Sequence, residues 1–109
     1  MFEIKSGKII MTRGDTGIIN LNLTHEGEPF KFSEGDKVIF SVKKNLKDKR
    51  CLFSKEAARD TIFIAHEDTE NLEPGNYFYD IEIRYNKVQV ATIGPGKFIV
   101  KYDVTRGDK

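Results

Sequence analysis

A chain of 109 residues with 39% apolar residues, 32% charged residues and a formal net charge of +1 has the size and balance of one globular domain. This composition excludes a disordered chain, and the small net charge gives no bulk attraction to nucleic acid or anionic lipid. The single cysteine, Cys51, excludes an internal disulfide framework, and no apolar run reaches the ~20 residues of a membrane-spanning helix.

Apolar and polar residues alternate along most of the chain, which is the pattern of strands that bury one face. The predicted strands are 3–5 with 8–11, 18–23, 38–43, 62–64, 77–85, 87–92 and 98–104. Turn residues separate them at 26–29, 33–36, 73–76 and 94–96. Helix is predicted only as short turns at 54–60 and 68–72. The pattern predicts an all-β fold, an antiparallel Ig-like or fibronectin-III-like sandwich of about 7–8 strands with one or two short helical turns.

The domain boundaries follow from the last predicted strand. We expect one sandwich domain over residues 1–104 and a C-terminal tail over residues 105–109. The first residues lack the basic and apolar segments of a signal peptide, so none is expected. The single cysteine favours a reducing compartment, at least during synthesis.

The stretch "NLEPGNYFYDIEI" predicts a tyrosine corner. Leu72 precedes a Pro-Gly turn containing Gly75, and Tyr77 begins a long alternating strand. In Greek-key sandwiches such a tyrosine packs inward, and its hydroxyl bonds a backbone group a few residues upstream. This feature indicates fold and carries no information about function.

Four longer segments carry a family resemblance over roughly residues 9–106. They are "MTRGDTGIINLNLTHEGEPF", "VIFSVKKNLKDK", "TIFIAHEDTENLEPGNYFYDIEI" and "GPGKFIVKYDVTR". In this order they resemble small proteins of tailed bacteriophages and prophages, and in particular the N-terminal domain of phage baseplate upper proteins. The resemblance implies an Ig-like sandwich that serves as a tail or baseplate component of the virion and is made in the bacterial host cytoplasm.

The tetrapeptide Thr-Arg-Gly-Asp occurs twice, at residues 12–15 and 105–108. Arg-Gly-Asp is also the sequence that integrins bind, which requires an exposed loop apex in an extracellular protein. We interpret the first copy as a turn, in which Gly14 permits a positive φ and Asp15 caps neighbouring backbone amides. The second copy follows the last predicted strand and is interpreted as tail.

No residue pattern predicts catalysis, a metal or a cofactor. The two histidines, His25 and His66, lack the spacing of a zinc site, and Cys51 has no cysteine partner. A nucleophilic pair of Cys51 and His66 would need folding to bring them together. The carboxylates of Asp80 and Glu82 share a strand face, as solvated strands often do. We therefore expect a protein that is not an enzyme.

Charged and apolar residues suggest contact surfaces. Basic residues cluster at 43–50, the basic loop, and acidic residues cluster at 67–73. The two segments are either solvated loops or a bipolar surface that docks head to tail with copies or partners. Nucleic-acid binding by the basic loop is a third interpretation. Apolar residues opposite the core stripe could be covered by another subunit or form a minor core. The residues expected at an interface are Phe63, Phe78 and Ile99 for apolar contact, with Lys43, Lys44, Lys47, Glu67, Asp68 and Glu70 steering the approach.

The preferred hypothesis is a non-enzymatic phage or prophage structural protein that binds other tail proteins or copies of itself, forming a homo-oligomer. The first alternative is a small phage-encoded inhibitor of a host defence protein, resembling anti-CRISPR proteins and acting in the cytoplasm. The second alternative is a carbohydrate-binding module that uses exposed Tyr or Phe rings.

Overall fold

The computed structural model describes residues 1–85 and 89–102. The helix α1 spans His66–Thr69. The strands are β1 Phe2–Lys5, β2 Lys8–Thr12, β3 Gly17–Asn20, β4 Thr24–His25, β5 Glu28–Pro29, β6 Lys37–Lys43, β7 Phe53–Glu56, β8 Thr61–Ile64, β9 Gly75–Tyr85 and β10 Gln89–Lys101. The predicted tail lies outside the described residues.

A six-stranded sheet in the order β1-β2-β10-β9-β6-β7 forms one layer of the fold. Its hydrogen-bonded pairs are antiparallel with one exception, because β2 and β10 run parallel, with Ile9 beside Phe98. Strands β2 and β10 are far apart in sequence, so no tight hairpin forces them to be antiparallel. The predicted all-β sandwich is confirmed, although its larger sheet is mixed.

The other layer is the antiparallel two-stranded sheet β3–β8. A third, small sheet is the hairpin of β4 and β5. Between the layers lies one core, to which β6 contributes every second residue and β9 contributes Tyr77, Ile81 and Ile83. Its fully buried members are Ile9, Met11, Val38, Phe40, Val42, Ile62, Ile64, Phe98, Val100 and the polar Thr69. The strand periodicity in the sequence therefore identified the correct inward face.

Residues 54–60 do not form the predicted helical turn. Strand β7 begins at Phe53, which pairs with Val42 of β6 and places its ring 6.0 Å from that of Phe98. A helix of one or two turns is costly to nucleate, whereas a strand here gains both hydrogen bonds to β6 and the packing of a half-buried aromatic ring. Tertiary packing therefore decides the conformation.

The segment 94–96 lies inside one strand and does not open a new one. Strand β10 continues through it with a register shift between Ile93 and Gly96, which is a β-bulge. Gly96 is required here because a Cβ would lie 2.5 Å from the ring of Tyr79. That ring crosses β10, and its hydroxyl donates to the carbonyl of Gly7 at 2.6 Å.

Candidate functional site

The outer face of the β3–β8 sheet presents two large apolar side chains. Ile18 and Phe63 are direct cross-strand partners, and they are 55% and 51% exposed. The next outward pair, Asn20 and Thr61, is also uncharged. In a chain with 32% charged residues, a sheet face with none has the charge-depleted composition of an interface core.

Phe78 and Ile99 lie on the outer face of the other sheet, away from Phe63. Phe78 pairs with Lys43 of β6 on one side and with Lys97 of β10 on the other. Ile99 pairs with Ile10 of β2. All three apolar side chains are half-buried, and lysine stems commonly cover apolar surface in this position. The structure therefore divides the predicted apolar contacts between two surfaces.

The basic loop follows β6 and is only partly available for contact. Lys44 is held in place, because its Nζ lies 4.5 Å from the centroid of the Tyr77 ring and 3.4 Å from the carbonyl of Asn76. Lys47, Lys49 and Arg50 are exposed.

The acidic segment is also used largely within the fold. The carboxylate of Asp68 lies 3.0 Å from Lys55 Nζ and accepts a 2.7 Å bond from the backbone N–H of Ala65, which caps α1. The carboxylate of Glu70 lies 2.8 Å from Nε2 of His66. Glu67 is exposed. Of the three acidic residues predicted to steer a partner, two have contacts within the domain.

The basic and acidic segments lie at the same end of the sandwich. The basic loop leaves β6 at Lys43, whose cross-strand partner is Phe78 near the start of β9. The acidic segment leads directly into that start at Gly75. The structure therefore does not place the two charges at opposite poles, which the head-to-tail interpretation requires.

The first Arg-Gly-Asp element is a turn that packs on α1. Gly14 has a φ of 84°, its N–H donates to Oγ1 of Thr69 at 2.8 Å, and its carbonyl lies 2.6 Å from Nδ1 of His66. Asp15 differs from the prediction, because its carboxylate contacts the amino nitrogen of Met1. Both backbone polar groups of Gly14 are therefore bound to side chains of α1, unlike the mobile loop apex that integrins bind. The second copy lies outside the described residues.

Tyr77 forms the predicted corner. Its ring is buried, its hydroxyl donates to the carbonyl of Glu73 at 2.5 Å, and Leu72 packs against the same core. Gly75 begins β9 with a φ of 156°. Burial raises the pKa of the Tyr77 hydroxyl, and the carboxylate of Glu73 raises it further. Burial likewise raises the pKa of Tyr79.

The structure does not assemble the candidate nucleophilic pair. Cys51 is exposed in the basic loop, whereas the two ring nitrogens of His66 face Gly14 and Glu70. Within residues 1–85 and 89–102, no group of three or more His, Cys, Asp or Glu side chains is placed to hold a metal ion. No helix in the same part of the chain is long and apolar enough to cross a membrane.

One aromatic cluster was missed by the sequence reasoning. Phe30 meets Phe32 and Tyr85 edge to face, with ring centroids 4.8 and 5.8 Å apart, beside an open cleft of about 360 Å³. The spacing of two in "FKF" was the available signal. These rings form no flat platform. Of the more exposed rings, that of Phe63 lies on β8 of the smaller sheet, whereas Tyr102 follows the end of β10. This geometry gives little support to a carbohydrate-binding module.

Comparison with known proteins gives no assignment, because no protein-family model and no curated protein matches the chain.

Proposed function

We propose that the protein is a non-enzymatic structural component of a bacteriophage or prophage tail or baseplate and acts through protein–protein contacts. The observation that carries this proposal is the uncharged outer face of the β3–β8 sheet, with Ile18 and Phe63 side by side and each more than half exposed. The resemblance implies an Ig-like sandwich, and an all-β sandwich is compatible with it.

The Ile18–Phe63 pair has the character of a contact centre. Burying one such side chain contributes roughly 1.5–3 kcal/mol at full burial, and both start half exposed. Aromatic residues are also enriched at the centres of interfaces, where they contribute most of the binding energy. The two side chains alone offer little contact area. We infer that they anchor a contact whose remaining area comes from the protein surface around them.

The exposed charges suit a steering role. Lys47, Lys49, Arg50 and Glu67 remain at the surface, where charges raise association rates more than affinity. Nucleic-acid binding is less well supported, because the bases of a single-stranded nucleic acid would need aromatic rings beside these lysines on which to stack. The aromatic ring that Lys44 of the same loop contacts, that of Tyr77, is buried.

Purified particles test this proposal. Virions or induced prophage particles from a strain that carries the gene would be separated on a density gradient, and the chain would be quantified by mass spectrometry. We expect it to co-sediment with tail proteins at a fixed ratio. Recovery only in the soluble lysate would contradict the structural role.

The same lysate tests the inhibitor alternative. If the chain stays in the soluble fraction, an affinity-tagged copy should capture one host protein at a fixed ratio under that alternative. The Ile18–Phe63 pair would serve either partner, so the location of the chain and not its surface decides between the two functions.

A further inference from the structure

Strand β10 changes from an inner strand to an edge strand at its bulge. Beyond the bulge, residues 98–100 lie between β9 and β2. Before the bulge, residues 89–93 pair with β9 alone, and no other strand of residues 1–85 and 89–102 pairs with their second edge. An open strand edge presents unpaired backbone donors and acceptors to another strand.

This open edge has an unusual composition for a protein surface. The segment Val-Ala-Thr-Ile at 90–93 carries no charge, and all four residues are exposed, with Val90 at 58% and Ile93 at 44%. Natural edge strands are usually blunted by charges, prolines or bulges. Here Pro95 and the bulge end the open segment at its C-terminal end. The four residues 90–93 leave about 13 Å of open edge.

We propose that this edge of β10 pairs with the same edge of a second copy, so that the two six-stranded sheets join into one. The inference rests on the proposed assembly function and specifies one of its contacts. Backbone hydrogen bonds across the joined edges would supply the attraction, as in other strand-addition complexes.

The arrangement of side chains sets the register. Ala91 and Ile93 are cross-strand partners of the buried Ile83 and Ile81, so they lie on the inner side of the sheet. A two-fold axis normal to the sheet keeps the inner sides of both copies together. Placing that axis at Thr92 sets Ile93 of each copy opposite Ala91 of the other, which covers the exposed Ile93.

The lack of charge favours a second copy over a different partner. An isologous contact places the same surface patch on both sides, so each charged residue near the axis would meet its own equivalent. Like charges directly opposite each other destabilise strand pairs. The segment 90–93 avoids this conflict completely.

The oligomeric state of the purified protein tests this inference. Sedimentation equilibrium over a wide concentration range should show a monomer–dimer equilibrium. Thr92→Lys, which places two lysines at the axis, should weaken the dimer by at least about tenfold. Leu46→Lys is the matched control, because Leu46 is exposed in the basic loop and its variant should dimerise normally.

Cross-linking gives a second readout that does not depend on destabilisation. In a Cys51→Ser background, Thr92→Cys should form a disulfide-linked dimer under mild oxidation, whereas Leu46→Cys should not. A monomer at all concentrations, or a dimer that Thr92→Lys leaves unchanged, would overturn the inference. This assay uses the isolated protein and is therefore independent of the particle experiment. The protein could be monomeric and still be found in particles, or it could dimerise and be absent from them.

Discussion

Replacing Tyr77 by Phe isolates the hydrogen bond that closes the corner. The ring is 4% exposed, and Phe keeps its apolar packing and the face over which Lys44 lies. Only the 2.5 Å bond to the carbonyl of Glu73 is lost. A neutral hydrogen bond contributes about 0.5–1.5 kcal/mol, and an acceptor left without its donor adds to the cost, so we expect a loss of about 1–2 kcal/mol.

Urea unfolding at pH 7 measures this loss directly. The midpoint should fall with an unchanged slope, and Tm should fall by roughly 4–10 °C for a domain of this size. Tyr102→Phe is the matched control, because Tyr102 is 73% exposed and its variant should stay within about 0.5 kcal/mol of the parent protein. If Tyr77→Phe is as stable as the parent protein, the corner does not hold the loop and this reasoning is refuted.

The pH dependence of stability in Tyr77→Phe and the parent protein gives an independent check on the role of the Tyr77 hydroxyl. Burial, with a further contribution from Glu73, raises the folded-state pKa of Tyr77 above the value of about 10 for an unfolded tyrosine. The contribution of the hydroxyl to stability is therefore fully present below pH 10 and is lost as the pH rises through the folded-state pKa. The stability difference between the two proteins should stay constant from pH 7 to pH 9 and narrow above pH 10.

Three further substitutions test the packing around the turns and the bulge. Gly96→Ala should destabilise by about 1–3 kcal/mol, because the new Cβ meets the ring of Tyr79; a neutral result in thermal unfolding would contradict this. Thr69→Val should cost about 1–3 kcal/mol, because the buried hydroxyl accepts from the N–H of Gly14, and hydrogen exchange should accelerate at Gly14. Asp68→Ala should cost about 0.5–2 kcal/mol through loss of the α1 cap, whereas Glu67→Ala on the same turn should change stability little.

The sequence predicted the β-sandwich because strand periodicity depends on local alternation. Val38, Phe40 and Val42 recur at every second position of β6 and are fully buried, whereas Ile39 and Ser41 between them are only half-buried. The corner was equally predictable, since Tyr77 and Glu73 are four residues apart and the contact is local.

Features that depend on distant residues were not predictable from the sequence. The segment at 54–60 has helix-forming residues, yet Phe53 joins the core through Phe98, which is far away along the chain. Two predicted segments form the single strand β10 through a β-bulge, at which Gly96 lies against the ring of the distant Tyr79. No local pattern contains either fact.

The candidate interface was only partly predictable for the same reason. Alternation identified Phe63 and Phe78 as outward residues, and both point away from the core. Their assignment to different sheets depends on strand order, which periodicity does not encode. The charge of Asp68 suggested a surface role, whereas folding pairs it with Lys55.

A competition for incorporation into particles tests whether the outer face of the β3–β8 sheet makes the assembly contact. Tagged Phe63→Glu protein and untagged parent protein would be produced together, and their ratio in purified particles compared with their ratio in the lysate. Phe63→Glu should be depleted in particles by about tenfold or more, because a carboxylate replaces an apolar contact at the centre of the uncharged face. Tagged Leu46→Glu, altered at an exposed apolar residue of the basic loop, should be incorporated like the parent protein. Equal incorporation of Phe63→Glu and the parent protein would show that this face does not make the assembly contact.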